Sequence, residues 1–345
     1  MTRARELLAM TVVLALAMPM CAQGNDRSDS SQEAAATGAA DDASTITEDV
    51  LRRHVSVIAH DSMRGRVTPS RGLDRTAAYI ASQFARFELR PLGDNGTFIQ
   101  HYPIPNDNRA RAPNVVGMVE GSDPALKGQY LVFSAHMDHV GIGHPVAGDS
   151  IYNGADDNAS GTAAVLALAE AFARAKERPR RSIIFLTVSG EEEGLWGSAY
   201  FASHSPVPID SIVADLNIDM IGRNWRDTIV AIGREHSDLG PTLARIAAAH
   251  PELHMATIDD PWPNENFYYR SDHFNFARRG VPALFFFSGT HADYHEPDDE
   301  IEKIDFEKET RIVRLLYYFG SEVANAADKP KWQPDSYRRI VGQRN

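Results

Sequence analysis

The stretch "RSIIFLTVSGEEEGLWGSAYFAS", Arg181 to Ser203, decides the architecture of this chain. Ser182–Val188 is a near-continuous apolar run, too short for a helix and of the kind found in strands buried on both faces. A Ser-Gly turn, three glutamates and a helical pattern from Gly194 to Ser203 follow. A doubly buried strand leading into a helix is the repeating unit of a sheet sandwiched between helices. Three adjacent carboxylates at the end of such a strand repel one another. They are tolerable only if something positive sits among them.

The same texture recurs on both sides. Candidate strands are Asn114–Val119, Tyr130–Ala135, Ile212–Ile218, Thr228–Ile232 and Ala283–Phe287. Helical rhythms fall at Leu73–Phe87, Ser160–Lys176, Leu239–His250 and Phe306–Ala326. "TEDVLRRHVSVIAH", Thr47 to His60, adds a helix with a capping-box-like threonine at its start. The alternation predicts the α/β class, as a three-layer α/β/α sandwich around a mixed, mostly parallel central sheet. In such folds the site forms outside the carboxyl ends of the strands.

Five segments bring histidines or carboxylates to that edge. "HMDH" (His136–His139) follows Tyr130–Ala135, and "YNGADDNASG" (Tyr152–Gly161) opens a helix. "SGEEEG" follows Ser182–Val188, "DMIGRN" (Asp219–Asn224) follows Ile212–Ile218, and "SGTHADYHEPDDE" (Ser288–Glu300) follows Ala283–Phe287. Taken singly, each has an ordinary reading: a surface turn, an Asx-rich helix cap with Asn158 or Ser160, a solvated strand end, an acidic loop. Their joint placement at one sheet edge does not. No Lys or Arg is close in sequence to Asp156 or Glu192, so metal ions are the natural counter-charge. Histidine with Asp/Glu and no cysteine suits Zn²⁺ or a similar ion. Two imidazoles with several carboxylates suit a pair of ions sharing one carboxylate, about 3.5–4 Å apart. There is no HExxH, GxSxG, GK[ST] or GxGxxG motif.

Composition bounds the rest. The 345 residues are 43% hydrophobic and 24% charged, ample for a core in one or two domains. Arg3 and Arg5 precede an apolar run from Leu7 to Met20, and the small Ala22 follows. That is the pattern of a cleavable export signal over residues 1–22, too short for a comfortable membrane span. Cys21 offers a rival route, a lipoprotein anchored through that residue, although Met18-Pro19-Met20 is a poor lipobox. Soluble export, periplasmic or extracellular, is favoured. Residues 23–44 read as a flexible linker, 45–328 as one catalytic domain and 329–345 as a surface tail. Cys21 is the only cysteine, so its removal leaves no disulfide and no thiolate metal site. The net charge of −12 becomes one unit more negative without Arg3, Arg5 and Glu6. An acidic chain without basic runs is a poor binder of nucleic acid or anionic membranes. No other segment is apolar enough to span a bilayer, and a monomer is favoured over an assembly.

"SAHMDH", "NGADDNASG", "SGEEEGLWGS", "NIDMIGR" and "YHEPDD" together resemble the secreted bacterial aminopeptidases with two co-catalytic zinc ions, relatives of glutamate carboxypeptidase II and glutaminyl cyclase. The upstream "IAHDSMRGRVTPSRGLDRTAAYIASQF" extends the likeness to roughly residues 50–325. The resemblance implies a zinc-dependent exopeptidase fold. It implies two Zn²⁺ per chain, with Co²⁺ or Mn²⁺ as substitutes, held by His136, Asp156, Glu192, Asp219 and His295. Asp156 would bridge the ions, His136 and Asp219 would complete one set, and Glu192 and His295 the other. It also implies a cis Asp156–Asp157 peptide, Asp138 orienting the His136 ring, and Glu191 as general base toward a bridging water or hydroxide. Peptides with a free N-terminus are the implied substrates.

Tyr294 reads equally as a hydrogen-bond donor to the reacting carbonyl and as a packed aromatic. Met220 is expected in the pocket wall. Tyr268 and Tyr269 are expected nearest the pocket among the aromatics of "PWPNENFYYRSDHFNF". His139 and His144 fall in a loop that can line the cleft. His273 and His291 lie near the site in sequence but outside an already full ligand set, and His54, His60 and His101 read as structural or surface residues. Alternatives on the same fold are a glutaminyl cyclase, a carboxypeptidase using Arg223, Arg270, Arg278 or Arg279, and a receptor-like module without catalysis.

Overall fold

A computed structural model describes residues 42–342. The expected signal sequence, Cys21 and nearly all of the expected linker lie outside the described residues. Eleven strands are present among them. Nine build one sheet in the order β1-β3-β7-β4-β8-β11-β9-β10, with β2 paired to β3. They are β1 (Arg90–Pro91), β2 (Ile99–Ile104), β3 (Asp107–Val119), β4 (Tyr130–His136), β7 (Ser182–Val188), β8 (Ile212–Ile218), β9 (Thr228–Ile232), β10 (Ala256–Ile258) and β11 (Ala283–Phe287). The strands β5 (Gly141–Val146) and β6 (Asp149–Tyr152) form a separate hairpin, in a region where the sequence suggested only a loop.

The sheet is mixed in a specific way. The middle strands β7, β4, β8 and β11 are mutually parallel, in registers that pair His136 with Val188, Ser134 with Asn217 and Ile218 with Phe286. β3 runs antiparallel to β7, and β9 antiparallel to β11. Four parallel neighbours therefore end at one edge. β9 runs the other way, so the segment after it leaves from the opposite edge and adds nothing to the site.

Side-chain alternation explains why these segments are strands. In β7, Ile183 and Phe185 enter one core, while Ile184, Leu186 and Val188 enter the other. The first core is closed by α1 (Glu48–Ile58), α2 (Arg71–Arg86), α3 (Gly161–Arg174), α5 (Leu239–Ala249) and α7 (Phe306–Asn325). On the other face, Phe201 of α4 (Trp196–Ser203) and Phe276 of α6 (His273–Ala277) cover the middle of the sheet. α1, α2 and α7 start on side-chain caps from Thr47, Ser70 and Asp305. α3 is buried from Gly161 to Ala169 and again at Ala171 and Phe172, and its alanines let it lie close to the strands. At Gly161 a Cβ would stand 2.3 Å from the carbonyl oxygen of Ile218. Only glycine lets the helix start so near the end of β8.

Two boundaries differ from expectation. Ala43 and Ile46 are fully or almost fully buried, so the packed domain begins within the expected linker. The expected tail also packs. α8 (Pro334–Ile340) buries Ile340 and the following Val341 beside β9 and β11, and Trp332 Nε1 donates to the Gly280 carbonyl at 2.9 Å. Three apolar side chains outweigh the polar look of the segment. No helix among the described residues is long and apolar enough to cross a membrane.

Candidate active site

The ends of β4, β7, β8 and β11 converge on a buried cluster of histidines and carboxylates. β4 delivers His136, which is 2% exposed and has Nε2 3.2 Å from Asp219 Oδ1 at the end of β8. Ser271 Oγ donates to the other Asp219 oxygen at 3.1 Å. The Asp138 carboxylate stands 3.7 Å from His136 Nδ1, beyond hydrogen-bond reach; the nearer acceptor is the Asp138 carbonyl at 3.3 Å. That carboxylate instead accepts from Thr68 Oγ1 at 3.0 Å and from the Gly190 amide at 2.7 Å, with the Glu191 amide at 3.4 Å. Asp138 therefore pins the loop that carries the glutamates.

The paired aspartates divide differently from the expectation. Asp157, not Asp156, lies between the two halves of the cluster. Its Oδ1 is 3.4 Å from His136 Nε2, and its Oδ2 is 3.1 Å from His295 Nε2. Asp156 faces away, with Oδ1 accepting from the Gly222 amide at 2.6 Å and Oδ2 3.2 Å from His291 Nε2. The cis peptide is accordingly Asp157–Asn158 rather than Asp156–Asp157. The backbone of this turn is held from outside. The Asp299 carboxylate accepts from the amides of Asp156 at 3.0 Å and Asp157 at 3.0 Å. Asn158 supplies the helix cap: its Oδ1 accepts from Gly161 N at 2.8 Å, and its Nδ2 donates to the Ile218 carbonyl at 3.0 Å.

The three glutamates lie in different surroundings. Glu192 meets His295 Nε2 at 3.1 Å and His139 Nδ1 at 3.0 Å. Burial pushes its carboxyl up, but the bonds from His139 and His295 prevail and hold it below the usual range. Glu191 has no such partner, and burial first of all raises its pKa well above an ordinary carboxylate. Glu193 is exposed. His139 was read only as a cleft residue, yet it is fully buried inside the cluster. The available signal was its place one turn-length after His136 in "HMDH".

Beside the cluster is a pocket, open on one side to solvent, lined by Glu191, Glu192, Asp157 and Asp219, and on the apolar side by Met220, Phe267, Phe285 and Phe287. Tyr294 and Met220 line it; Tyr268 and Tyr269 do not. Phe267–Tyr269 is a 3₁₀ turn, in which successive side chains point about 120° apart. Phe267 faces the cavity, Tyr268 packs against His236 and His273, and Tyr269 is 44% exposed. Phe285 and Phe287 reach the cavity because they share one face of β11, a two-residue period visible in "ALFFF".

Cations sit behind this cluster, contributed by residues distant in sequence. Arg66 is fully buried and donates to four carbonyls: Met137 at 2.9 Å, Ile58 at 3.0 Å, Asn153 at 2.5 Å and Gly154 at 3.1 Å. It thereby ties the His136 loop to the Asp157 loop. Lys308, also buried, bonds Ser288 Oγ at 2.8 Å, and Arg223 pairs with Asp293 at 2.7 Å. Arg66→Met keeps most of the side-chain volume but strands four buried carbonyls. It should cost at least about 3 kcal/mol in urea unfolding, with Arg66→Lys recovering only part, since an ammonium cannot span the four acceptors. Equal stability of wild type and Arg66→Met would contradict this role.

The donor set fits divalent metal. One ligand atom each from His139, Asp157, Glu192 and His295 lies within 4.8 Å of the others, and the same holds for His136, Asp157 and Asp219. Each Asp157 oxygen faces a different group, the arrangement a bridging carboxylate requires. Imidazole and carboxylate donors without thiolate suit Zn²⁺ and its neighbours.

A family model described as peptidase family M28 matches residues 114–320. The chain is 27% identical over 311 residues to a probable zinc metalloprotease of Leptosphaeria maculans, covering 78% of this chain and 71% of that one. It is 29% identical over 223 residues to a probable leucine aminopeptidase of Arthroderma benhamiae, covering 62% of this chain and 58% of the relative. These sequence relatives are fungal rather than bacterial. Among solved structures it is similar to the aminopeptidase LapA of Legionella pneumophila, with a TM-score of 0.67 at 20% identity over 93% of this chain and 81% of that one. It is also similar to glutaminyl cyclase of Porphyromonas gingivalis, with a TM-score of 0.62 at 16% identity over 80% and 98% of the two chains. At such identities the structures speak for the fold alone.

Proposed function

The chain belongs to peptidase family M28, and on that footing we propose that it is a two-metal aminopeptidase removing the first residue of peptides. The observation that carries this reading is Asp157, whose two oxygens each belong to a separate ligand group while Glu191 lines the adjoining cavity. His139, Glu192 and His295 would hold one ion with Asp157, and His136 and Asp219 the other. Zn²⁺ is the expected metal. Bound there, the ions supply Lewis-acid polarisation of the scissile carbonyl and acidify water.

The protein's own groups do the rest. Glu191 accepts a proton from the attacking water and passes it to the leaving amine nitrogen. Burial is the first cause of its raised pKa, so its carboxyl holds a proton more readily than an exposed one. Asp138 fixes the position of Glu191 through the Gly190 and Glu191 amides. Tyr294 lines the same cavity, where its hydroxyl can donate to the reacting carbonyl; burial keeps its pKa high and the proton on the oxygen. The carboxylates around the cavity favour a cationic α-amino group, and Met220, Phe267, Phe285 and Phe287 offer a surface for its side chain. A glutaminyl cyclase working with one ion would not need the second ligand group.

The test is hydrolysis of leucyl-anilide and of its N-acetyl derivative by metal-loaded protein, with metal content measured in parallel. Cleavage of the free-amine substrate alone, at two ions per chain, is the expected result. Equal cleavage of the blocked substrate would reject N-terminal specificity, and conversion of N-terminal glutamine to pyroglutamate without hydrolysis would favour the cyclase.

A further inference from the structure

Among the described residues, Arg270 is the only lysine or arginine lining the cavity. Its guanidinium carbon lies 4.8 Å from the centre of the Phe267 ring, itself part of the wall. Stacking on an aromatic fixes the plane of the fork and leaves its edges available. Among the described residues only Nη1 finds acceptors, the carbonyl of Glu265 at 3.3 Å and its carboxylate at 3.4 Å. Both side chains of that pair are more than half exposed, at 51% and 58%, so the interaction is weak and exchangeable. The backbone places this cation beside the chemistry, because the next residue, Ser271, donates to Asp219. The cavity thus has three parts. Carboxylates stand at one end, Met220, Phe267, Phe285 and Phe287 form the side, and a half-engaged guanidinium lies against that side.

A purely apolar side chain has no use for the last part. Three of the four carboxylates in the same wall, Asp157, Glu192 and Asp219, would be engaged by the metal ions, which leaves Arg270 as the side-chain cation there with a donor edge to offer an anionic group. Resting on the aminopeptidase reading above, we infer that Arg270 is a specificity-determining residue that receives a substrate carboxylate. Two sources share that chemistry: the side chain of an N-terminal Glu or Asp, and the C-terminal carboxylate of a dipeptide. The bond is a charge-assisted fork on a carboxylate, formed by exchange with Glu265.

The experiment compares kcat/KM of wild type, Arg270→Gln and Arg270→Lys on isosteric pairs that differ only in charge. Glutamyl-anilide against glutaminyl-anilide tests the side-chain source, and leucyl-glycine against leucyl-glycine amide tests the terminal source. The preference for the charged member of one pair should fall about 10- to 100-fold in Arg270→Gln, as for loss of a charge-assisted hydrogen bond. Arg270→Lys should restore part of it. An unchanged ratio in both pairs, or loss shared equally by charged and neutral members, would overturn the inference and leave Arg270 as a cover for Phe267. If neither pair is hydrolysed, the aminopeptidase reading fails separately. Binding of glutamate against glutamine to metal-loaded wild type and Arg270→Gln, by calorimetry, then decides: glutamate binding weakened about tenfold or more in the variant, with glutamine much less affected, supports carboxylate recognition, and parallel affinities reject it.

Discussion

Glu191→Gln is expected to retain two metal ions per chain and to lose about 10²- to 10⁴-fold in kcat, the range typical of a positioned general base. The reasoning is local. Glu192 is bound on both oxygens, by His139 at 3.0 Å and His295 at 3.1 Å, whereas Glu191 lacks an equivalent pair of partners. An amide at position 191 keeps the shape and removes the proton acceptor. The rival assignment is concrete, because Glu191 also lies in a group with His136 and Glu192 whose ligand atoms are within 4.8 Å. If Glu191 is a ligand, the Gln variant loses metal along with activity. Metal analysis of the purified variant therefore separates base from ligand. Glu193→Gln, an exposed neighbour, is the matched control and should behave as wild type.

The second large effect distinguishes the two aspartates. Asp157→Asn removes charge from the residue shared by both ligand groups, so affinity should fall at both ion positions by about 100-fold or more. Outer partners of ligands typically account for 10- to 100-fold. Asp156→Asn should fall at the low end of that outer range, near tenfold, because its Oδ1 still accepts from Gly222 and only the contact with His291 is weakened. Competition with a chromophoric chelator gives both affinities, and circular dichroism checks that each variant folds. Loss of metal in Asp156→Asn with full binding by Asp157→Asn would reverse the assignment.

How far the sequence discloses this site follows from what each residue needs. Strand-end positions were legible because the runs before them are mostly apolar: His136 closes β4, and the glutamates and Asp219 follow β7 and β8. The choice between Asp156 and Asp157 was not legible, since it turns on a backbone turn whose direction is set by Asp299, more than a hundred residues away. The counter-charges were missed for a similar reason. Arg66 and Lys308 reach the cluster through tertiary packing, and neighbourhood along the chain could not reveal them. The pocket aromatics failed on phase rather than on composition. "NFYYR" contains the right kind of residue, but a three-residue turn sends Phe267 inward and leaves the two tyrosines elsewhere.

The segment after β11 supplies His295 as a side chain to the cluster and Asp299 as a clamp on the amides of Asp156 and Asp157. It is thus both an occupant of the site and the jig that aligns another occupant. For anyone recombining this enzyme with a relative, the boundaries of an exchangeable cassette follow. Residues 154–158 and 289–300 travel together or not at all. A crossover between them would transplant a histidine while leaving the opposing carboxylate to be aimed by a foreign template.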